Sequence, residues 1–522
     1  MPPSASERPA RFGRLCLLWA CWLGSGGVRA DDSPSPPFLR VDAIQRVVSQ
    51  VEPSVVSIQR VRPAEHRAVL SAEPAFPSPL EGEGREVLPH DFGAGILVQG
   101  MQADELLVLT AYHVVRGGPE FRESQARVAR PDLSELRLTF FNRRSCAGAI
   151  FAADPRSDLA VLAFNKQELG GSLDDLKPLS WKDSRPVKKG EIVVCLGNPY
   201  ALARDGSASV SWGIVSNIAR RPVLFSRDAI REQLLWQLGT VLQLDTRLQL
   251  GGSGGPVVNL DGQLVGIGTA LAALEGYEKS AGFAIPVAPP MRRVLETLVA
   301  GQEVEYGLLG VAPRDVSAEV MRQNPQLFRR QPTAVEVAQI SEQSPAAQQI
   351  RQGDILLSID GQTLYASEDL MRAVVEKGPE EDVVVQLFRP LQKQPLRGEM
   401  LTVRSKLAKW PVREDDGIIA SRPKYPPWRG LQVDYTSSRE KFFKEQPFLP
   451  GVMVVDVVPN SPAERALLQP GDVITDVITS VGQSPVRSPA EFHRAVQALR
   501  GNAVLQLHVG RTGGRDSVTL TE

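Results

Sequence analysis

The sequence predicts a mainly β protein, and three observations lead to this expectation. The chain has 522 residues, enough for about three or four domains of ordinary size. In residues 92–286, short apolar runs alternate with Gly, Asp and Pro turns, a spacing typical of all-β barrels rather than of βαβ units. Two stretches of the C-terminal half resemble each other, which indicates a duplicated domain rather than a solenoid.

Composition and charge argue against several classes of function. Hydrophobic residues make up 42% and charged residues 23% of the chain, as in ordinary globular proteins. The formal net charge is -1, so no global field points to nucleic acid or to an anionic membrane. No Cys or His spacing suggests a zinc site, and no metal or cofactor is expected. Partners must therefore be selected by local pockets.

The N-terminus resembles a secretory signal peptide covering residues 1–30. Arg11 and Arg14 precede the apolar run LCLLWACWL, and a small-residue cleavage pattern ends at Ala30. This run is too short to span a bilayer, which favours cleavage over anchoring. We expect a disordered tail at residues 31–40 and no membrane span in the mature chain, since no later apolar run is long enough.

Two of the 4 cysteines would leave with the signal peptide. Cys146 and Cys195 remain and could form one disulfide in an oxidising compartment. Cys195 lies in the strand-like run IVVCLG, which favours a buried thiol.

The elements of the first half follow from apolar spacing. Residues 41–51 have the periodicity of a helix, with Ile44, Val47, Val48 and Val51 on one face. Residues 62–91 are rich in Pro, Glu and Gly and predict a long loop, functional or disordered. Strand-like runs then follow in the order GAGILV, LLVLTA, LRLTFF, LAVLAF, EIVVCLG, SWGIVS, GPVVNL and QLVGIG.

Ser253 lies between two pairs of glycines in the run LQLGGSGGPVVNL. Glycine permits strained turns and close approach, so these residues could present one hydroxyl at a sharp bend. The backbone N–H groups of Gly251 and Ser253 could then stabilise an oxyanion. The alternative is an ordinary Gly/Ser turn between two strands.

A nucleophilic serine needs a base and a group that orients the base. Of the 5 histidines, His113 stands out because it follows an apolar strand in LLVLTAYHVV. Asp158 directly precedes the apolar run LAVLAF. The alternatives are a structural histidine and a turn aspartate. All three residues are expected at strand ends, in the order His113, Asp158, Ser253.

That order is the one found in chymotrypsin-like proteases, and the local sequences resemble the HtrA/Deg serine proteases. The similar motifs are TAYHVV, DPRSDLAVL, LGNPY, GGSGGPVVNLDGQLVGI and GFAIPV. The resemblance implies a chymotrypsin-like double β-barrel protease domain over residues 41–298, with the site between the barrels. It also implies Ser253 as nucleophile, His113 as general base, Asp158 as orienting carboxylate, and the amides of Gly251 and Ser253 as the oxyanion hole.

One departure from the family concerns the residues before the serine. The family usually has Asn-Pro-Gly-Asn there, whereas this chain has Gln249, Leu250, Gly251 and Gly252. Glycine at 252 adds backbone freedom that must be lost when the oxyanion hole forms. The loop could therefore be looser, or ordered only on binding.

The two similar stretches, residues 344–364 and 461–486, resemble PDZ domains. The resemblance implies α+β PDZ domains at 303–405 and 428–522, joined by a linker at 406–427. Such domains add a C-terminal peptide as a strand and hold its carboxylate with loop N–H groups. The residues implied for peptide binding are Tyr306, Gly307, Leu308, Leu309, Gly310, Gly430 and Leu431. The alternative is that either copy only packs against the protease.

The function expected is an exported, ATP-independent serine endopeptidase of protein quality control, which cleaves unfolded or damaged proteins in a periplasmic or otherwise extracytoplasmic compartment. C-terminal peptides would bind the PDZ domains, and a homotrimer or higher homo-oligomer is implied by the resemblance. The alternatives are a catalytically weak or inactive chaperone or scaffold, motivated by the altered residues 249, 250 and 252, and a signalling protease of narrow specificity.

Overall fold

The structure is a computed structural model that describes most of the chain. The described residues are 41–61, 91–116, 135–198, 206–220, 241–246, 248, 251–269, 282–329, 331–341, 344–391, 394–413, 417–439, 450–479, 482–497, 503–509 and 514–520. The expected signal peptide and tail, the predicted loop up to residue 90, and Gln249 and Leu250 lie outside them. No helix in the described ranges is long and apolar enough to cross a membrane.

The first half begins with the helix predicted for residues 41–51 and continues into a closed barrel. Helix α1 (Val41–Val51) is followed by a 3-10 turn (Glu52–Ser54). The barrel strands are β1 (Val55–Val61), β2 (Asp91–Gln99), β3 (Leu106–Ala111), β4 (Glu135–Phe140), β5 (Ser145–Asp154) and β6 (Leu159–Phe164). Their order is β5-β4-β1-β2-β3-β6, and pairing between β5 and β6 closes the barrel. Two short helices, α2 (Tyr112–Arg116) and α3 (Lys166–Leu169), follow β3 and β6.

A second closed barrel follows. Its strands are β7 (Ile192–Gly197), β8 (Ser209–Arg220), β9 (Val241–Leu244), β10 (Pro256–Asn259), β11 (Leu264–Thr269) and β12 (Gly282–Pro286). They are ordered β10-β11-β12-β9-β8-β7. The prediction of a mainly β fold with two barrels is therefore confirmed.

The space between the barrels is the largest apolar core of the protein's described part. Leu109 and Val161 from the first barrel pack there with Val194 and Ile267 from the second. Helix α4 (Pro289–Val299) leaves the second barrel and buries its apolar face in the same cluster. The cluster continues to Tyr306 and Val375, so the first repeat shares a core with the protease-like half.

Two similar α+β units make up the rest of the chain. The first contains β13 (Gly307–Leu308), β14 (Val311–Asp315), α5 (Ala318–Gln323), a 3-10 turn (Leu327–Arg329), β15 (Val335–Ile340), a 3-10 turn (Pro345–Gln348), β16 (Ile355–Ile359), β17 (Gln362–Thr363), α6 (Ser367–Val375), β18 (Asp382–Leu391), β19 (Gln394–Lys406) and β20 (Ala408–Lys409). Its main sheet has the order β14-β15-β16-β18-β19, so β14 is an edge strand.

The second unit repeats this order. It contains β22 (Leu431–Tyr435), β23 (Val452–Val457), α7 (Pro462–Arg465), β24 (Val473–Thr479), β25 (Gly482–Pro485), α8 (Pro489–Gln497), β26 (Ala503–Val509) and β27 (Gly514–Leu520). Strand β21 (Ile419–Ala420) precedes it, in the segment between the two units. The sheet order β22-β23-β24-β26-β27 places β22 at the edge, as β14 is in the first unit.

The segment predicted as a linker, residues 406–427, makes ordered contacts in both directions. Strand β20 pairs with β13 at the start of the first repeat, and β21 pairs with β5 of the first barrel. Arg422 also donates to Glu105 at 2.8 Å. These contacts join the segment to the protease-like half instead of leaving it as a free tether.

Cys146 and Cys195 are both buried and both free. Burial, helped by the charge of Glu168, raises the pKa of the Cys146 thiol to about 11. Burial raises the pKa of Cys195 to about 12, and a hydrogen bond with Ser211 only partly offsets it. Cys195 is the buried thiol that its strand predicted.

Candidate active site

Ser253 lies in a tight turn of the second barrel, between β9 and β10. Gly251 and Gly254 have φ angles of 96° and 82°, in the left-handed region that favours glycine. A Cβ at Gly254 would collide with Ala94 and Thr110 of the first barrel. The absence of side chains at these glycines therefore lets the turn pack directly against the first barrel. The carbonyl of Ser253 accepts a hydrogen bond there from the Ala94 amide at 2.8 Å.

Two hydrogen bonds fix the peptide planes of this turn. The Gly251 carbonyl accepts from the Asn198 amide at 3.1 Å, and the Gly252 carbonyl accepts from the Gly255 amide at 3.2 Å. Since N–H and C=O of one trans peptide point in opposite directions, the Ser253 N–H faces away from Gly255. The freedom expected from glycine at 252 is thus restricted in the folded chain.

His113 is the second residue of α2, directly after β3, one step beyond the strand rim that the sequence predicted. Asp158 ends the turn before β6 with a φ of 55°, and only 1% of it is exposed. The Nδ1 atom of His113 lies 2.8 Å from Oδ2 and 3.0 Å from Oδ1 of Asp158. The His113 amide also donates to Oδ1 at 3.0 Å, so one carboxylate holds both the ring and the backbone.

The second barrel reaches the same carboxylate. Thr269, on β11, donates its hydroxyl to Oδ2 of Asp158 at 3.4 Å. Gly93 of β2 lies against both Val114 of α2 and the Ser253 carbonyl, with no room for a Cβ between them. The structure therefore brings His113, Asp158 and the Ser253 turn to one junction between the barrels. Sequence reasoning missed Thr269, because nothing in the strand LVGIGT distinguishes a threonine that faces another barrel.

The surface beside this turn is apolar and lined by glycine. The half-buried side chain of Leu248 lies close to Gly268 and Gly282, where a Cβ would contact it. Leu248 therefore adds an apolar group beside the end of β11 and the start of β12. Residues 270–281 fall outside the described ranges.

The residues expected to bind peptide are not all available to do so. Tyr306 is 1% exposed, and its hydroxyl donates to Asp154 Oδ2 at 2.5 Å. The Gly307 amide donates to the Lys377 carbonyl at 2.8 Å, and Leu308 pairs with Ala408.

The remaining part of the loop adjoins the edge strand. Leu309 is 2% exposed, and Gly310 has a φ of 81°. Both lie directly before β14, and α6 lies beside that strand.

Gly430 of the second repeat corresponds to Gly310. Each has a φ of 81°, lies against a serine (Ser461 or Ser344), and directly precedes the residue that begins the edge strand. Because of this alignment, Pro426 and Pro427 occupy the places of Tyr306 and Gly307, and proline has no N–H to donate.

The loop of the second repeat is also closed on itself. Trp428 and Leu431 exchange both backbone hydrogen bonds, at 3.0 and 2.9 Å. The Leu431 amide is therefore already occupied. Beside it, the ring of Tyr425 stacks on His493 of α8 with centroids 4.7 Å apart, and burial lowers the pKa of His493.

The protein families that match this chain agree with this architecture. The family pattern of the trypsin-like peptidase domain matches residues 93–267, and that of the PDZ domain matches residues 307–407 and 430–521. A probable periplasmic serine endoprotease DegP-like of Hahella chejuensis is 27% identical over 525 residues, covering 98% of both chains. A protein of the same name from Halomonas elongata is 26% identical over 439 residues, which are 84% of this chain and 80% of the relative. Among solved structures, the HtrA-type protease AlgW with tripeptide is 20% identical over 72% of this chain and 98% of that chain, with a TM-score of 0.47.

Proposed function

Since this chain belongs to the HtrA/Deg family of serine proteases, with a trypsin-like peptidase domain followed by two PDZ domains, we propose that it cleaves unfolded or damaged proteins with the triad His113, Asp158 and Ser253. The chain is a serine endopeptidase. It acts outside the cytoplasm, as its periplasmic relatives do.

The pairing of His113 with Asp158 supports these roles most directly. A carboxylate 2.8 Å from Nδ1 leaves Nε2 as the atom that removes the proton from a serine hydroxyl. Ser253 would attack the scissile carbonyl, and His113 would then protonate the leaving amine. Water activated by the same imidazole would hydrolyse the acyl-enzyme.

The fixed turn supports the Ser253 amide as one donor of an oxyanion hole, and the family resemblance supplies the Gly251 amide as the other. Both donors would be backbone N–H groups, which need no reorganisation when negative charge develops on the substrate oxygen. Because the Gly252 carbonyl is already bonded to Gly255, the Ser253 amide is held in one orientation before substrate arrives. This arrangement supports an active enzyme over the inactive scaffold.

Cleavage of unfolded casein by the mature chain tests the triad. The Ser253→Ala variant is expected to lose at least about a thousandfold in kcat, as nucleophile removal does in such enzymes. The exposed Ser180 offers a matched control, and Ser180→Ala should cleave as wild type does. Equal cleavage by Ser253→Ala would refute the nucleophile assignment. Binding of casein without cleavage by wild type would favour the chaperone alternative.

We assign C-terminal peptide binding to the first PDZ domain only. Its edge strand β14 lies beside α6, which leaves a place for an added strand. In the second domain, the Leu431 amide at the start of the edge strand is already occupied by the Trp428 carbonyl. Gly310 and Gly430 provide a matched pair, because a side chain at either would strain the same left-handed backbone and strike the serine below.

Binding of a labelled C-terminal peptide to the mature chain tests this assignment. Gly310→Val should abolish binding of the free-carboxylate peptide, and Gly430→Val should leave it unchanged. An amidated peptide should bind neither chain. Loss of binding in Gly430→Val alone would reverse the assignment.

We further propose that β8 forms an interface in a homotrimer or higher homo-oligomer. Val210, Trp212, Ile214 and Ile218 alternate along this strand, and all four are exposed, with Trp212 at 58%. These residues form an apolar stripe that is interrupted by Ser216, and an exposed apolar patch of this kind is typical of a protein interface. Sedimentation of Trp212→Glu should show a smaller assembly than wild type. Leu467→Glu, at an isolated residue that is 81% exposed, should not differ from wild type.

A further inference from the structure

A buried five-residue turn carries Asp158 into the site. It runs from Asp154 to Asp158, and every residue in it is buried. Within the turn, the amides of Ser157 and Asp158 donate to the carbonyls of Asp154 and Pro155, each at 3.2 Å. These two distances are at the long end of the usual range for backbone hydrogen bonds. The Tyr112 amide, which comes from the same barrel, also donates to the Asp158 carbonyl at 2.8 Å, and the turn has further support from another domain.

That support comes from the start of the first PDZ domain. One oxygen of the Asp154 carboxylate accepts from Arg156 Nε at 2.8 Å, and the other accepts from the Tyr306 hydroxyl at 2.5 Å. Arg156 also donates Nη2 to the Val304 carbonyl at 2.6 Å. The turn is therefore attached at two points to residues about 150 positions later in the chain.

The phenol of Tyr306 is held as a donor in this contact. Burial, together with the neighbouring Asp154 carboxylate, keeps its pKa well above the usual value. The Arg156 guanidinium lies 4.6 Å and that of Arg293 5.7 Å from the ring centroid, within the range of cation–π attraction. Tyr306 is thus fixed on both its ring and its hydroxyl and has no exposed surface for a peptide.

We propose that Tyr306 is a positioning residue for proteolysis, which acts through Asp154 and Arg156 to hold Asp158 in place beside His113. The proposal rests on the triad proposed above. The family resemblance implied that Tyr306 binds peptide, whereas the proposal assigns it the role of supporting the turn that carries Asp158.

Two properties of Asp158 make it sensitive to the support of the turn: its strained backbone and its close contact with His113. Its φ of 55° is unfavourable for a side-chain-bearing residue and persists only where surrounding contacts impose it. Both of its oxygens must meet His113 Nδ1 within 3.0 Å. A shift of about 1 Å in a catalytic group can cost about a hundredfold in rate, so even partial relaxation of the turn would be measurable.

Steady-state kinetics of Tyr306→Phe in the mature chain test the proposal. This change removes only the hydroxyl, and we expect kcat on unfolded casein to fall about tenfold while KM stays within twofold. Titration with an active-site-directed fluorophosphonate corrects kcat for the fraction of competent sites. Tyr365→Phe is the matched control, because Tyr365 is in the same domain and 50% exposed, and its kinetics should equal those of wild type.

A double-mutant cycle with Asp154→Asn separates positioning from a general loss of structure. If the two residues act through one contact, the double variant should lose no more in kcat than the larger single loss. Asp154→Asn is the more disruptive change, because it leaves the buried Arg156 guanidinium without its carboxylate. If thermal unfolding shows that this variant fails to fold, the kcat of Tyr306→Phe alone decides.

Three results would overturn the proposal. One is a kcat for Tyr306→Phe within twofold of wild type, and another is additive losses in the cycle. The third is a change confined to the response to C-terminal peptides, which would return Tyr306 to the peptide site. A wild-type chain that neither cleaves casein nor reacts with the fluorophosphonate would refute the triad itself, and is thereby distinguished from these results.

Discussion

Lys409 is the most consequential buried charge outside the catalytic site. Only 1% of it is exposed, and its Nζ lies 2.8 Å from Asp434, 3.0 Å from Glu303 and 3.5 Å from Glu305. Burial alone would lower the pKa of this lysine, but the carboxylates of Asp434 and Glu303 raise it above the usual value. One ammonium group at the end of the first PDZ domain therefore contacts two other parts of the chain. These are the segment after α4, which carries Glu303 and Glu305, and the edge strand β22 of the second PDZ domain, which carries Asp434.

The cost in stability of Lys409→Met follows from the carboxylates that it leaves buried without their ammonium partner. Removing one partner of a buried ion pair costs about 3–5 kcal/mol, because the other charge stays buried. Glu305 keeps Lys424 at 2.8 Å, and the side chains of Asp434 and Glu303 are 12% and 22% exposed. Because Glu305 keeps a partner and the other two carboxylates are partly exposed, we expect a loss of stability near the lower end of this range, at about 3 kcal/mol.

Hydrogen exchange measured by mass spectrometry is the suitable assay, since a multidomain chain has no single unfolding free energy. A loss of about 3 kcal/mol corresponds to an opening constant for β20 and β22 that is about a hundredfold larger. Lys424→Met is the matched control: Lys424 is 47% exposed, and an exposed ion pair contributes about 0–1 kcal/mol. Opening constants in Lys409→Met equal to those in Lys424→Met would refute the reasoning.

Two further predictions concern the serine turn and the thiols. Gly254→Ala should reduce casein cleavage severely and lower the thermal midpoint, because its φ of 82° and the adjacent Ala94 carbonyl leave no place for a methyl group; unchanged activity would contradict the direct packing of this turn against the first barrel. Cys146 and Cys195 should resist iodoacetamide at neutral pH in the folded chain and react in urea, because their raised pKa values suppress the reactive thiolate; labelling of the native protein, read by mass spectrometry, would show that burial does not protect them.

Local pattern was sufficient to predict most of the fold. Strand-like runs between turn residues predicted an all-β barrel fold, and the two similar stretches predicted a duplicated domain. The family resemblance added the second barrel and the α+β class of the repeats. The sequence also indicated which three residues to examine at the site, because a nucleophile, a base and a carboxylate each followed or preceded a short apolar run. These features are local, so a sequence displays them directly.

Contacts across long sequence separations were not predictable in this way. The GLLG segment predicts a carboxylate-binding loop beginning at Tyr306, but the position of that tyrosine depends on Asp154 in another domain. Likewise, the family resemblance grouped Gly430 with the peptide-binding residues without pairing it to a residue of the first repeat. The serine that lies against each glycine shows that Gly430 corresponds to Gly310. A Lys in a Pro- and Arg-rich stretch predicts a solvated linker, and nothing local signals the three carboxylates around Lys409.

The pairing of β21 with β5 has a consequence for synthesis of the protein. Strand β5 is covered by β4 along residues 145–148, and β21 takes the same side at residues 152–153. A nascent chain emerging from the ribosome therefore completes the six strands of the first barrel long before Ile419 and Ala420 exist, and until then a short length of backbone edge stays unpaired. Edges of this kind are sites of aggregation. The strand that covers this edge comes from between the PDZ domains, so a chain released early would carry a barrel with part of β5 still unpaired.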